Sequence, residues 1–295
     1  MKIGLLDIDG HNFPNLALMK ISAWHKQQGD TVEFADMFSH YDIIYKSKVF
    51  SWTADNNIAY DCDRMVEGGT GYNWYNILPD YINNICPDYS LYDCKQAYGF
   101  LTRGCIRKCE WCVVPYKEGD IKAEHDIEDF IADKKSAILM DNNVLACDHG
   151  IKQIEKIIQL GIKIDFNQGL DARLIDNSMA KLLAKVKWLH PLRLACDSQA
   201  MIEPVRKAVE LLRWNCCRPS RYFVYALIRD IPEAIERIKF LKGIYVEPYA
   251  QPFRDFFKNI EPTQQQKDFA RYVNQTAVFN SIPLDEYKYN QNLCL

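Results

Sequence analysis

The strongest constraint on this chain is an alternation of two hydrophobic periods. Short apolar runs stand at Tyr98–Leu101, Ala137–Met140, Lys163–Phe166, Leu192–Cys196, Tyr222–Ile228 and Ile244–Glu247. Between them, apolar residues recur every three or four positions: Ile127/Phe130/Ile131, Ile151/Ile154/Ile158, Met179/Leu182/Leu183/Val186, Val205/Ala208/Leu211/Leu212 and Ile235/Ile238/Leu241. The first pattern predicts buried strands and the second predicts helices with one face on a sheet. Gly161 and Gly243 are placed to stop two of these helices before the next strand. Strand and helix in turn predict an α/β fold with a parallel sheet. Six such strands can curve into a partial barrel, which would put a functional site at the strand C-terminal ends.

The N-terminal part repeats the theme. Lys2–Ile8 reads as a strand, Pro14 sits where a helix starts, and Leu16, Met19, Ala23 and Trp24 keep helical spacing until Gly29. Thr31–Phe34 and Asp42–Phe50 read as further strands, so this part predicts a Rossmann-like, doubly wound sheet. Composition shifts near Cys86-Pro87-Asp88. The expected organisation is a Rossmann-like domain over 1–90, a partial (β/α)6 barrel over 95–250 and a C-terminal helical extension over 251–295. Thr263 and Gln266 have capping-box spacing, with Phe269, Tyr272 and Val273 giving the helix that follows an apolar face.

Bulk properties exclude several classes. A net charge of −3 and a pI near 6.1 leave no basic footprint for a nucleic-acid partner. No apolar run approaches membrane-spanning length, and Lys2–Ile8 runs straight into Asp9-Gly10 rather than forming a signal-peptide core. The eleven cysteines therefore read as reduced thiols or metal ligands in the cytoplasm.

Three of those cysteines carry the chemistry. Thr102-Arg103-Gly104-Cys105-Ile106-Arg107-Lys108-Cys109-Glu110-Trp111-Cys112 sets Cys105, Cys109 and Cys112 in a C-x3-C-x2-C spacing. Thiolates this close can converge on one metal centre. Iron–sulfur clusters normally take four thiolates, so a local triplet leaves one iron open to another ligand. A zinc knuckle would need a fourth ligand, and no second pair follows at finger spacing. Three buried thiols packed as small apolar groups are the bland alternative, but Arg103, Arg107, Lys108 and Glu110 make the loop polar.

The spacing, with Trp111 just before the last cysteine, resembles the cluster loop of the radical S-adenosylmethionine (SAM) superfamily. The likeness extends over roughly 98–248. It implies a 4Fe–4S cluster held by Cys105, Cys109 and Cys112, with the amino and carboxylate groups of SAM on the fourth iron. It also implies that the segment after the second barrel strand, Asp141-Asn142-Asn143, receives the SAM amino group. The polar run Asn167-Gln168-Gly169-Leu170-Asp171-Ala172-Arg173 should face the pocket, with Gln168 among its contacts and Arg173 suited to a carboxylate. Asp197 and Ser198 would meet the ribose, and the fifth strand (Val224, Ala226, Ile228) would pass near adenine. The sixth strand would end at Glu247-Pro248-Tyr249, a candidate for substrate contact. The activity implied is reductive cleavage of SAM to a 5′-deoxyadenosyl radical that takes hydrogen from a substrate. A low-potential electron donor such as a flavodoxin or ferredoxin would then be a partner. A tRNA-modifying enzyme and a non-catalytic iron–sulfur redox sensor are the alternatives. Cys196 and the Cys216-Cys217 pair read as core or partly buried thiols, and Cys147 as a candidate for redox or auxiliary-ligand duty.

The N-terminal part is also similar to cobalamin-binding domains. Asp9-Gly10-His11 follows the first strand, with Ser47 and Gly68-Gly69 downstream. That likeness would make His11 a cobalt ligand oriented by Asp9, and brings cobalamin into the candidate cofactors. Pro14 stands where that loop has a glycine, which fixes the backbone and removes a donor. The balance therefore falls against cobalamin, with Gly68-Gly69 read as a packing turn.

Overall fold

The structure is a computed structural model that describes residues 1–10, 12–56, 58–283 and 286. The chain is mixed α/β with parallel sheets and divides into two compact units. One comprises Met1–Leu101 and Glu124–Ile138, the other Thr102–Ala123 and Leu139–Leu295. No helix among the described residues is long and apolar enough to cross a membrane.

In chain order the first unit opens with β1 (Lys2–Asp7), α1 (Leu16–Gln27), β2 (Thr31–Phe34), β3 (His40–Ser47) and β4 (Asp61–Gly68). These strands form an all-parallel sheet in the order β2-β1-β3-β4. Alternate residues of β1 supply two cores. Ile3 and Leu5 pack with Leu18 and Ile21 of α1, whereas Leu6 packs with Tyr41 and Ile44 on the other face. Pro14 lies one residue before the cap of α1, because the Asn15 side chain accepts from Leu18 N at 3.2 Å and sets the helix start there. β3 stops at Ser47, short of the expected Phe50. The reason is Asp9, whose carboxylate takes the N–H groups of Val49 and Phe50 and turns the chain away.

Next come α2 (Asp80–Asn83) and β5 (Ala97–Gly99), after which the chain makes an excursion into the second unit. That excursion is β6 (Thr102–Arg103), the cysteine loop, α3 (Val114–Lys117) and β7 (Lys122–Ala123), with β6 and β7 paired antiparallel. α4 (Ile127–Ile131) and β8 (Ser136–Leu139) follow, β8 beside β5.

The rest of the second unit runs α5 (Asp148–Leu160), β9 (Lys163–Phe166), α6 (Asn177–Leu183), β10 (Lys187–Trp188), β11 (Leu192–Ala195), α7 (Ile202–Trp214), β12 (Tyr222–Ile228), α8 (Ile231–Gly243), β13 (Glu247–Pro252), α9 (Gln264–Asn274) and α10 (Thr276–Ser281). β9 pairs parallel with β10, and β11-β12-β13 form a parallel sheet. Gly161 ends α5 in a left-handed conformation at φ +69°, where a side chain would be strained. The expected capping box is present at α9, which buries Phe269, Tyr272 and Val273. The last strand departs from expectation. It begins at Glu247 instead of ending there, because α8 runs through Gly243 and Tyr245 takes φ +56° in the turn that follows. Pro248 and Pro252 are tolerated because β13 is the edge of its sheet.

Candidate metal centre

The cysteine loop is fixed at its root by its own polar residues. Gly104 has φ +82°, and a Cβ there would lie 2.3 Å from the carbonyl oxygen of Asp120, so only glycine fits where the two arms of the excursion cross. Glu118 staples these arms. Its Oε2 accepts from Gly104 N at 2.9 Å and from Asn142 Nδ2 at 2.8 Å, while Oε1 pairs with Arg103 at 3.1 Å. Asp141 is buried, and its Oδ1 accepts from both Thr102 N (2.6 Å) and Thr102 Oγ1 (2.7 Å). Trp111 is covered by the Arg229 guanidinium, 4.7 Å from the ring centroid, at the end of β12.

The three sulfurs are partly buried in a polar setting. Cys105 Sγ accepts from Arg107 N at 3.3 Å and from Asn143 Nδ2 at 3.4 Å. Burial pushes the Cys109 and Cys112 thiols up; Arg173 opposes this at Cys109 and the Val114 backbone opposes it at Cys112. Cys112 N donates to Cys109 O at 3.0 Å, which closes the turn between the last two cysteines. The three sulfurs do not all lie within 4.8 Å of one another. Three thiolates around one zinc at about 2.3 Å would stand about 3.8 Å apart. Among the described residues, the one set of three donors that gathers within 4.8 Å is His40, Asp42 and Asp63, on and beside the exposed end of β3 and β4. On an iron–sulfur cluster each thiolate binds a different iron, so its ligands need not close on a single ion.

Segments after β8 and β9 meet the cysteine loop, and β11 lies beside them. Asn167 N donates to Leu139 O at 3.1 Å, and Leu170 pairs with Leu194, so the ends of β8, β9 and β11 lie side by side. Asp171 accepts from Arg107 Nε at 2.9 Å, from Arg173 Nε and Nη2 at 2.7 and 3.0 Å, and from Asn143 Nδ2 at 3.3 Å. Burial raises the Asp171 carboxyl, but Arg173 and Arg107 outweigh it and hold the group below the usual carboxylate range. Asp197 goes the other way. Burial raises it, although Leu227 N donates to its Oδ1 at 3.1 Å and Arg237 and Arg173 act against the shift. It also acts electrostatically on Cys109 and Cys112, raising both thiols.

Asn143 is 2% exposed, and its Oδ1 has no hydrogen-bond partner. A buried acceptor left unmade costs about 1–3 kcal/mol. Its amide nitrogen meanwhile reaches both a thiol and Asp171, so the orphaned oxygen sits in the same polar cluster as the cysteines. This observation, with the donor set of three thiols, fits a bound group that brings its own N–H.

Hydrogen bonds therefore link Cys105, Asn143, Asp171 and Arg173, while Cys109, Cys112 and Asp197 act on one another electrostatically. Asp141 and Asn142 instead brace the root of the loop. Gln168 is exposed, with Nε2 on Asn167 Oδ1 at 3.3 Å, and Ser198 follows Asp197 without capping the turn beyond it. Cys147 caps α5 with no side-chain bond, Cys196 is fully buried, and Cys216 is exposed beside buried Cys217. Sequence reasoning missed Glu118 and Arg107 as partners. Arg107 lies inside the motif and could have been found there, whereas nothing near Glu118 in sequence signals its role.

In the first unit, Asp9 accepts from Val49, Phe50 and Thr53, and Ser47 Oγ accepts from Asn15 Nδ2 at 2.9 Å. His11 lies outside the described residues. Gly69 has φ +94°, and a Cβ there would meet the Lys48 carbonyl oxygen at 2.3 Å, so the glycine turn packs on the chain's own backbone. No protein-family model matches the chain, and no curated protein sequence does either.

Proposed function

We propose that the chain is a radical SAM enzyme, with an N-terminal Rossmann-like domain and a partial (β/α)6 barrel. The observation that carries the reading is the joining of Cys105 to Asn143 and Asp171 at the strand ends, with the Asn143 Oδ1 unpartnered and buried. Cys105, Cys109 and Cys112 would hold a 4Fe–4S cluster. Asn143 Oδ1 would accept from the SAM ammonium, a role that Asp141 is less free to take while it holds Thr102. Arg173, with one edge on Asp171, keeps further N–H donors for a carboxylate. Asp197 would accept from a ribose hydroxyl. When bound, cluster and SAM supply one-electron cleavage of a carbon–sulfur bond and the radical that follows. The protein's part is to fix these groups and exclude water.

A small low-potential protein such as a flavodoxin or ferredoxin would deliver the electron. Cobalamin is not part of the proposal, since Asp9, Ser47 and Gly69 are engaged within the first unit. The test is anaerobic reconstitution with iron and sulfide, then SAM and dithionite, with 5′-deoxyadenosine as the expected product. Full iron loading without any SAM cleavage would replace the enzyme by an iron–sulfur sensor.

A further inference from the structure

The sheet β11-β12-β13 has two unlike faces. One carries Leu194, Cys196, Val224, Ala226, Ile228 and Ala250, all buried. On the other, the register sets Arg193 opposite Phe223, Ala195 opposite Tyr225, and Tyr225 opposite Tyr249. These residues stay half-buried, and Tyr249 is 38% exposed. An all-parallel sheet normally has both faces covered, and a wet face normally turns polar. This one is aromatic instead.

The rings form an ordered wall. Phe223 and Tyr249 lie 5.2 Å apart at 31°, and Tyr225 meets both edge-on at 5.3 and 5.9 Å. Tyr225 is pinned by its hydroxyl, which donates to Asn167 O at 2.8 Å. The Arg193 guanidinium lies 5.8 Å from the Phe223 centroid and is ion-paired to buried Asp165. The same face continues upward to Asp197, which Leu227 N holds at the end of β11. Just beyond β12, the Arg229 guanidinium lies 4.7 Å from the ring centroid of Trp111, between Cys109 and Cys112, so this end of the sheet lies beside the cysteine loop.

We infer that this face is the substrate surface and that it takes a flat heteroaromatic ring. The inference rests on the radical SAM reading for its chemistry, and adds the substrate class. Flat side chains held edge-to-face offer stacking area without further ordering cost, and Arg193 supplies N–H donors at the rim for ring heteroatoms.

The experiment measures binding of guanosine and, separately, of L-tryptophan to the iron-reconstituted full chain by calorimetry, with ribose as the ringless control. At least one ring probe should saturate and ribose should not; which one binds tells a nucleobase from an indole. SAM should not displace it. Tyr249→Ala and Phe223→Leu should each weaken it about tenfold, the scale of one lost stacking contact, while Tyr249→Phe keeps it. Iron content of Tyr249→Ala, an edge-strand change, should stay as in the parent, and its thermal unfolding should stay cooperative with a modestly lower Tm. Binding of neither probe, equal binding of ribose, indifference to both substitutions, or displacement by SAM would each overturn the inference. Ring binding without 5′-deoxyadenosine formation would leave this surface standing and remove the radical reading alone.

Discussion

The two units each present polar loops beyond the C-terminal ends of parallel strands, and they use them in opposite ways. In the first, the polar groups satisfy one another. Asp9 turns the chain after β3, Ser47 receives Asn15, Tyr92 donates to Asp7 at 2.6 Å, and Lys46 and Lys48 pair with Asp55 beside Tyr72. In the second, the loops converge on thiols, and one buried acceptor is left open. Polar residues at strand ends are thus poor markers of a site by themselves. What separates a site from a well-made turn is whether the local groups leave a desolvated valence unmet.

The largest expected contrast concerns iron. Cys109→Ala should lose nearly all bound iron after anaerobic reconstitution, whereas Cys147→Ala should keep it. Equal loading of the two variants would erase the distinction drawn for the second unit. Asp141→Ala should also lower iron content, because it releases both donors of Thr102 at the root of the loop.

A smaller effect is expected on SAM binding. Asn143→Ala and Arg173→Ala should each weaken it about tenfold to a hundredfold with iron retained, since a hydrogen bond to a charged group is worth about 1.5–3 kcal/mol. Unchanged affinity in both would mean that the open acceptor serves something else. Gly69→Ala probes the opposite kind of turn. It should destabilise the protein by about 1–3 kcal/mol through backbone strain, visible as a lower Tm, yet leave iron and SAM binding as they were.

The smallest effect depends on pH. Burial raises the Asp88 carboxyl, but hydrogen bonds from Lys26, Ser22 and Ser90 outweigh it and hold the group below the ordinary carboxylate range. A depressed carboxylate contributes stability that is complete above its unfolded pKa of about 3.9 and is lost as pH falls through the lower folded value. Asp88→Ala should therefore be less stable than the parent at pH 7, with the gap closing below about pH 4. A gap that is constant with pH would assign the loss to packing instead of to the charge.

Much of this was legible in the sequence where the determinants are local. Three cysteines within eight positions, the strand β9, and the capping box at Thr263 all depend on near neighbours. The braces of the cysteine loop were not, because they join residues far apart. Glu118 reaches Gly104 and Asn142, and Asn143 reaches Cys105 and Asp171; a string of residue types holds no record of such pairs. Asp141 is the charged member of its segment, yet its charge serves Thr102, and the neutral Asn143 is the residue with an oxygen to spare. The start of the last strand is set locally, in a way that composition hides. Tyr245 adopts a backbone conformation usually left to glycine, and so the turn after α8 extends two residues past Gly243.

If three thiolates hold a cluster whose remaining iron is open to SAM, electron paramagnetic resonance of the reduced, reconstituted protein should respond to SAM. About four irons per chain and a signal that changes when SAM is added are expected, with the change weakened in Asn143→Ala. A fully loaded cluster whose signal is identical with and without SAM would contradict it.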